Sequence, residues 1–195
     1  MDKEGKNFLG LTGKMASGKG EIVNILTNHG YKYISLSDIV REKAASIAKN
    51  VSRGKMQDIG NKLREEGGAG VLGRKVREKI ETSSIKKWVI DGIRNPAEVA
   101  ELKRLHDFYL IAIDSKKELI LERLKSRNRN TDIANESELI KRLDREWGKG
   151  EDPGGQQVGK CVEIADFFIK NDGTLKYLKE RVLEILNFME EKDGE

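Results

Sequence analysis

Short apolar runs alternate along most of the chain with longer stretches in which apolar residues recur at helical spacing. A short apolar run predicts a strand, and apolar residues three or four positions apart predict a helix that buries one face. The predicted strands cover 8–11, 31–34, 88–90, 108–113 and 167–169. The predicted helices cover 21–29, 37–49, 56–66, 71–82, 96–106, 115–127, 136–147 and 175–189.

This alternation is typical of an α/β fold in which a parallel sheet carries helices on both faces. The run 108–113 (FYLIAI) is apolar at every position, as expected for a strand that is covered on both sides. Ligands of such sheets bind beyond the carboxyl ends of the strands. We therefore expect the functional residues just after the predicted strands, within a single domain that spans residues 1–195.

The composition narrows the class of protein. Hydrophobic residues make up 37% and charged residues 36% of the chain, which indicates a soluble helical protein with a charged surface. No apolar run approaches the roughly 18 residues that span a bilayer, and no signal peptide is visible, so we expect a cytoplasmic protein without a membrane partner. Cys161 is the only cysteine, which excludes an internal disulfide and a four-cysteine zinc site. A net charge of +4 suits phosphate ligands and is too small to favour nucleic acid.

A glycine-rich loop follows the first predicted strand. Residues 13–19 (GKMASGK) fit the pattern G-x-x-x-x-G-K, in which glycines let backbone N–H groups approach phosphate oxygens. The N-terminus of the next helix faces the same anion, and Lys19 can bridge two phosphates. This position between a strand and a helix favours a phosphate site over an ordinary turn. Gly20 stands where the motif usually has a Ser or Thr that binds magnesium, so the ion would depend on nucleotide oxygens, water and carboxylates elsewhere.

Two other predicted strands each end close to an aspartate and an arginine. Asp38 and Arg41 follow the second strand, and Asp91 and Arg94 follow the third. An arginine in this place can bind a phosphate through two hydrogen bonds, and an aspartate can organise magnesium. The structural alternatives are a helix cap at Ser37 or Asp38, a turn at Asp91 and solvated arginines. The repetition of the pair after neighbouring strands favours the functional interpretation for Asp91 and Arg94.

Arginines crowd around the polar segment 128–135 and on the predicted helices that flank it. In one interpretation they form charged helix faces with ion pairs to neighbouring acidic residues. In the other they belong to a lid, at about 128–136, that closes over a triphosphate, neutralises charge in the transition state and excludes water. These residues are Arg123, Arg127, Arg129, Arg142 and Arg145.

The order and approximate spacing of these segments, from residue 8 to about 185, resemble the P-loop nucleoside monophosphate kinases. The loop over 13–20 (GKMASGKG) is similar to the adenylate-kinase type, although Glu21 stands where that type usually has Thr. Segments 34–41 (ISLSDIVR) and 89–94 (VIDGIR) are similar to those that hold the acceptor phosphate in the family, and 123–145 is similar to its lid. Residues 165–173 (ADFFIKNDG) look like a stretch of dephospho-CoA and deoxynucleoside monophosphate kinases that borders the adenine of ATP.

The resemblance implies a three-layer P-loop kinase fold with a five-stranded parallel sheet, whose core covers 7–49, 86–127 and 160–190, and a helical acceptor-binding insert at about 50–85. It implies transfer of a phosphoryl group from ATP, with Mg²⁺, to a nucleoside or deoxynucleoside monophosphate by a monomer or weak homodimer. One alternative is a dephospho-CoA kinase, in which Asp38 would act as a base for a ribose hydroxyl. Another is a nucleotide-binding protein without transfer activity, which Gly20 and Glu21 motivate.

The site residues implied in this way fall into four overlapping groups. The catalytic residues are Lys19, Asp38, Asp91, Arg127 and Arg142. The ATP contacts are Gly13, Lys14, Ala16, Ser17, Gly18, Lys19, Gly20, Glu21, Arg123, Arg127, Asn171 and Gly173. The acceptor contacts are Ser37, Asp38, Arg41, Gln57, Asn61, Arg64, Arg94, Arg129 and Arg142. Asp38 and Asp91 would hold Mg²⁺ through water.

Overall fold

A computed structural model describes residues 6–47, 53–126 and 136–193. In it, five parallel strands form one sheet in the order β2-β3-β1-β4-β5, which confirms the predicted fold class. The strands are β1 (Asn7–Thr12), β2 (Lys32–Ser35), β3 (Lys87–Asp91), β4 (Phe108–Asp114) and β5 (Phe167–Lys170). The helices are α1 (Lys19–Asn28), α2 (Leu36–Ala45), α3 (Arg53–Gly67), α4 (Val71–Glu81), α5 (Pro96–Leu102), α6 (Lys117–Ser126), α7 (Glu136–Trp147), α8 (Val158–Glu163) and α9 (Leu175–Asp193).

Successive residues of the central strands face opposite sides of the sheet, and helices cover both sides. Leu110 of β4 packs in one cluster with residues of α2, α4 and α5, whereas Ile111 and Ile113 pack in a second cluster with α1 and α9. Both faces are therefore buried, which explains why β4 is apolar without alternation. Among the described residues, no helix combines the length and the apolar character needed to cross a membrane.

A third apolar cluster lies outside the two sheet faces and joins the loop after β1 to α6 and α7. Ala16 packs there with Leu124 of α6 and Leu139 and Leu143 of α7, and Met15 packs against the same group. The position of these two helices is therefore tied by apolar contact to the loop that sequence analysis identifies as a phosphate site.

Apart from shifts of a few residues at other helix ends, the structure differs from the predicted elements in three ways. Helix α5 ends at Leu102 rather than near 106, because the chain tightens into a turn in which Leu105 N donates to Leu102 O (2.9 Å) and Leu105 becomes buried. Helix α8 was not predicted, since six residues are too few to show a clear helical period. The segment 148–155, for which the sequence predicts neither a helix nor a strand, is held by Asn95, whose Nδ2 donates to Pro153 O (2.9 Å) and Gly155 O (2.8 Å).

Cys161 is buried on α8 and packs in the core as a small apolar residue. Burial raises the pKa of its thiol to about 12, and the nearby Glu98 carboxylate acts in the same direction. The thiol is therefore neutral at physiological pH and contributes to packing, since a reactive cysteine needs a lowered pKa and access to solvent.

Candidate functional site

The loop between β1 and α1 lies against β4 and the segment after β5, so closely that two of its positions require glycine. Gly13 has a φ of +141°, and a Cβ there would lie 2.0 Å from the carbonyl oxygen of Ile113. Gly18 has a φ of +117°, and a Cβ there would lie 2.3 Å from Asn171 Nδ2. Both backbone conformations strain any residue with a side chain. The two glycines of the motif therefore fix how the loop wraps at the carboxyl edge of the sheet.

The lysines of the loop are folded against it. Lys19 Nζ donates to Gly13 O (2.5 Å) and to Lys14 O (2.8 Å). Lys14 Nζ lies 3.0 Å from Asp114 Oδ2 and 4.2 Å from the centre of the Trp147 ring. These contacts hold two positive charges beside the glycine-rich backbone, as a site for polyanionic phosphate requires.

A pocket of about 250 Å³ opens beside the loop on the β4/β5 side. A helix N-terminus, a loop backbone and two leucines border it, which gives a wall of mixed polar and apolar character suited to a flat ring system. Six of its residues were predicted as ATP contacts from the sequence. The lining residues are Ala16, Gly18, Glu21, Arg123, Asn171, Gly173, Leu175 and Leu178.

Arg123 and Asn171 brace the loop backbone from this side. Arg123 Nη1 donates to Ser115 Oγ (2.9 Å) and, at 3.4 Å, to the carbonyl oxygens of Ala16 and Ser17, while its Nη2 donates to Asn171 O (3.0 Å). Asn171 Nδ2 donates to Ser17 O at 2.8 Å. Arg123 was predicted from the sequence to bind ATP directly. In the structure its guanidinium group forms hydrogen bonds with the loop, Ser115 and Asn171.

Ser17 carries a buried hydroxyl that has no hydrogen-bond partner among the described residues. Loss of a partner at a buried polar atom costs about 1–3 kcal/mol, so such atoms are uncommon without a functional reason. In the centre of a glycine-rich loop, this hydroxyl is consistent with a site that receives a polar ligand.

The carboxyl ends of β2 and β3 form the other side of the site, because Ser35 of β2 is paired in register with Asp91 of β3. Helix α2 is capped by Ser35, whose Oγ accepts from Ser37 N (3.2 Å), so the predicted cap at Ser37 or Asp38 is wrong by two or three positions. Asp38 completes a capping box by accepting from Ser35 N (3.1 Å), and it forms an ion pair with Arg41. Asp38 and Arg41 therefore lie together at the end of β2, as predicted.

The segment after β3 turns sharply at Gly92 and presents Arg94. Asp91 Oδ1 accepts from Gly92 N (2.7 Å), and Gly92 has a φ of +82°. The pKa of the nearby Tyr33 is raised by burial and by the negative charge of Asp91. Arg94 is half-buried, and its Nε lies 3.7 Å from Glu146 Oε1.

The predicted insert contributes Arg64 to a buried ion pair. Arg64 Nε and Nη2 lie 3.1 and 2.8 Å from Glu98 Oε1, and both side chains are almost fully buried. Glu98 Oε2 accepts from the backbone N–H groups of Arg94 (2.8 Å) and Asn95 (3.1 Å). Asn61 Oδ1 lies 3.4 Å from Arg64 Nη1. Arg64, predicted to contact the acceptor, therefore supports the segment that carries Arg94.

Two acidic residues at the site, Glu98 and Glu146, were not predicted from the sequence to contact it. Glu98 had a recognisable signal, because it stands three positions after Asn95 with Pro96 at the helix start, and the structure confirms a capping box there. Glu146 had no such signal, since its partners Met15 and Arg94 lie far away in sequence.

Three predicted residues cannot be placed. The side chain of Gln57 and the residues Arg127 and Arg129 lie outside the part of the chain that the structure describes. Arg142 is exposed on α7, one turn before Glu146.

The described residues contain no group of three or more His, Cys, Asp or Glu side chains that could enclose a metal ion. A Mg²⁺ ion fits this site only with phosphate oxygens and water as most of its ligands, which is its common behaviour in phosphate sites. At Gly20 a Cβ would meet nothing within 4 Å, so lack of space does not explain why the usual hydroxyl is missing.

Residues 12–140 match the AAA domain family AAA_17. The UPF0200 protein of Sulfurisphaera tokodaii is 33% identical over 179 residues, which cover 92% of this chain and 95% of that protein. The UPF0200 protein of Methanothermobacter thermautotrophicus is 31% identical over 191 residues, which cover 96% and 93%.

Solved structures share the fold at lower identity. The protein TT1252 from Thermus thermophilus superposes with a TM-score of 0.59 at 19% identity, covering 94% of this chain and 97% of that one. A sugar kinase from Janibacter sp. superposes with a TM-score of 0.52 at 16% identity, covering 93% and 95%. These two similarities show the fold alone. The family match and the relatives above 30% identity show which family the chain belongs to. The chain belongs to the AAA domain family of P-loop proteins and to the UPF0200 proteins.

Proposed function

We propose that the protein transfers the γ-phosphoryl group of ATP to a nucleoside or deoxynucleoside monophosphate and releases ADP and the corresponding diphosphate. One observation supports the proposal: the phosphate loop lies between a pocket and a pair of strand ends that are followed by arginines. The pocket beside Gly18 and Asn171 is on one side, and the ends of β2 and β3 with Arg41 and Arg94 are on the other. A protein that only hydrolyses ATP needs the first side, whereas a kinase needs both.

The donor half of the proposed mechanism uses the loop. Its backbone N–H groups and Lys19 hold the phosphates of ATP, and the neighbouring pocket receives the base. Lys19 leaves the carbonyl oxygens of Gly13 and Lys14 for phosphate oxygens, which are stronger acceptors because they carry charge. In this arrangement the γ-phosphoryl group points towards β3.

The acceptor half uses the arginines. Arg94 and Arg41 bind the phosphate of the monophosphate, so that one of its oxygens faces the γ-phosphorus in line with the bond to ADP. The new P–O bond forms to that oxygen, the bond to the bridging oxygen of ADP breaks, and ADP keeps the electron pair. A phosphate acceptor needs no general base, because it is already ionised, and positioning together with electrostatic stabilisation is sufficient.

Mg²⁺, when bound, would supply positive charge that stabilises the phosphates during transfer. Asp38 and Asp91 are the carboxylates that would orient its water ligands. Asp91 ends β3, which is next to β1, and Asp38 lies in the first turn of α2, directly after β2. Arg142, with Arg127 and Arg129, would form the predicted lid.

The experiment is an assay of ADP formation from Mg-ATP with each common nucleoside monophosphate, each deoxynucleoside monophosphate and dephospho-CoA. Acceptor-dependent ADP release with a monophosphate supports the proposal and identifies the substrate. Release with dephospho-CoA alone would replace it with transfer to a ribose hydroxyl, for which Asp38 is the candidate base. ATP binding without acceptor-dependent release would contradict transfer and favour a nucleotide-binding protein.

A further inference from the structure

Glu146 connects the two sides of the site. Its Oε2 accepts from the backbone N–H of Met15, in the phosphate loop, at 2.7 Å, and its Oε1 lies 3.7 Å from Nε of Arg94. The side chain is only 5% exposed, whereas that of Arg94 is 32% exposed. A single buried carboxylate thus contacts one group from the donor side and one from the acceptor side.

Both partners of Glu146 are groups that bind phosphate in the proposed reaction. A loop N–H and an arginine form charge-assisted hydrogen bonds with any oxyanion, and carboxylate and phosphate oxygens compete for them on equal terms. A carboxylate that stays in place would also repel the phosphates brought to the same site. The phosphates of the nucleotide and of the acceptor must therefore displace Glu146 before they can bind Met15 N and Arg94 Nε.

The end of α7 that carries Glu146 contacts the loop in other ways. Trp147 lies against the Lys14 ammonium group at 4.2 Å, and Leu143, one turn earlier, packs with Ala16 and Leu139. Movement of Glu146 away from Met15 therefore changes the surroundings of Trp147 and the packing of α7 on the loop.

We propose that Glu146 is a positioning residue that occupies the phosphate site in the free protein and leaves it when phosphates bind. The inference rests on the proposed function for the identity of the ligands. An acceptor phosphate that binds Arg94 weakens the ion pair between Arg94 and Glu146. Glu146 can then move away from Met15 N, which becomes available to a phosphate of ATP. The two substrates thereby favour each other, and ATP alone binds less tightly than the loop would otherwise allow.

The test compares binding of Mg²⁺ with the non-hydrolysable ATP analogue AMPPNP, by calorimetry, to the wild-type chain and to Glu146→Gln. Glutamine keeps an oxygen that can accept from Met15 N but removes the charge. The expected result is about tenfold tighter binding, within the usual range of coupled sites. Glu184→Gln, an exposed residue of α9 paired with Arg181, is the matched control and leaves the affinity unchanged.

Equal or weaker binding by Glu146→Gln overturns the inference, because a merely structural role would move the affinity in that direction. Trp147 supplies a second measurement if the variant does not fold: nucleotide must change the Trp147 emission of the wild-type chain, with Trp147→Phe assigning the signal. An unchanged emission at saturating nucleotide overturns the inference as well. Absence of nucleotide binding by the wild-type chain and by Glu146→Gln would instead contradict the proposed function itself.

Discussion

The donor side and the acceptor side of the phosphate loop are held by different kinds of contact. On the donor side, Arg123 and Asn171 donate to loop carbonyl oxygens, and the backbones themselves approach so closely that a Cβ on Gly13 would fall 2.0 Å from the carbonyl oxygen of Ile113. On the acceptor side, side chains meet side chains, as Arg94 meets Glu146. Backbone contacts of this kind cannot change without moving the sheet, whereas an ion pair can re-form with another anion. We therefore expect that the backbone fold determines where ATP binds and that the side chains on the other side determine which acceptor molecule binds.

The positively charged side chains on the two sides also differ in their partners. Lys19 and Arg123, on the donor side, donate to neutral carbonyl oxygens of the loop. Arg41 and Arg94, on the acceptor side, face carboxylates. A ligand phosphate therefore replaces neutral carbonyl oxygens as the partner of Lys19 on the first side, whereas it must replace a carboxylate as the partner of Arg41 or Arg94 on the second. Binding at the acceptor side should be the more selective of the two.

Loss of the donor-side lysine is expected to have the largest effect. Lys19→Ala removes the charge that stabilises the phosphates, and we expect phosphoryl transfer to fall by about 10²–10³-fold. The melting temperature should change little, because Lys19 is half-buried and its hydrogen bonds to Gly13 O and Lys14 O are local contacts within the loop. Steady-state kinetics and thermal unfolding measure the two quantities.

Lys32→Ala is the control for Lys19→Ala, since Lys32 is exposed at the start of β2 and far in sequence from the loop. It should leave transfer unchanged. Full activity in Lys19→Ala would contradict the whole donor-side assignment.

The next largest effect is expected on stability, from the ion pair under the acceptor side. Arg64→Ala leaves Glu98 buried without its charged partner, which should lower the free energy of unfolding by about 3–5 kcal/mol. Chemical denaturation measures this change. Lys62→Ala on the same helix breaks an exposed pair with Glu66 and should cost at most about 1 kcal/mol.

The double variant Arg64→Ala with Glu98→Gln separates charge from packing. It should recover part of the loss, because the remaining buried group is neutral. A normal stability in Arg64→Ala combined with a raised KM for the acceptor would show instead that Arg64 contacts substrate, as the sequence alone predicts.

The shape of the loop on the donor side could be predicted from the sequence, because its signals are local. Gly13 and Gly18 are needed for backbone reasons at fixed spacing, and Asn171 follows an apolar strand. The order of strands and helices was predictable for the same reason, since each buried face leaves a pattern within a few residues. The α5 boundary shifted where Leu105 folded back onto the core.

On the acceptor side, the sequence predicted where the arginines lie but not which residues they contact. The pairs after β2 and β3 were recognisable, yet the partner of Arg64 is Glu98 and that of Arg94 is Glu146, separated by 34 and 52 positions. Ion pairs at such separations depend on how helices pack, and no local spacing encodes them. The hydrogen bonds from the Arg123 guanidinium to the loop carbonyl oxygens likewise join residues far apart in sequence, and its predicted contact with ATP stays a prediction.

A smaller effect is expected from the acceptor-side arginine. Arg94→Ala removes charge-assisted hydrogen bonds to the acceptor phosphate, which are worth about 1.5–3 kcal/mol, so the KM for the acceptor should rise about 10- to 100-fold. The KM for ATP, measured at saturating acceptor, should change much less. Arg104→Ala, an exposed residue that pairs with Glu101, is the control and should change neither constant. A selective rise in the KM for ATP would place Arg94 on the donor side and remove the distinction between the two sides.

The smallest effect is expected where the loop departs from its motif. A side chain at Gly20 meets open space at an exposed helical position, so Gly20→Ser should raise the free energy of unfolding by about 0.5 kcal/mol through helix propensity. The same change at Gly18, with its positive φ and the nearby Asn171 Nδ2, should cost about 1–3 kcal/mol. The added hydroxyl should also lower the Mg²⁺ concentration needed for half-maximal transfer, because it supplies the ligand that the motif usually provides. An unchanged Mg²⁺ requirement in a well-folded Gly20→Ser would mean that water already occupies that position as effectively as a hydroxyl. The donor side would then owe its function to the loop backbone and Lys19, independently of residue 20.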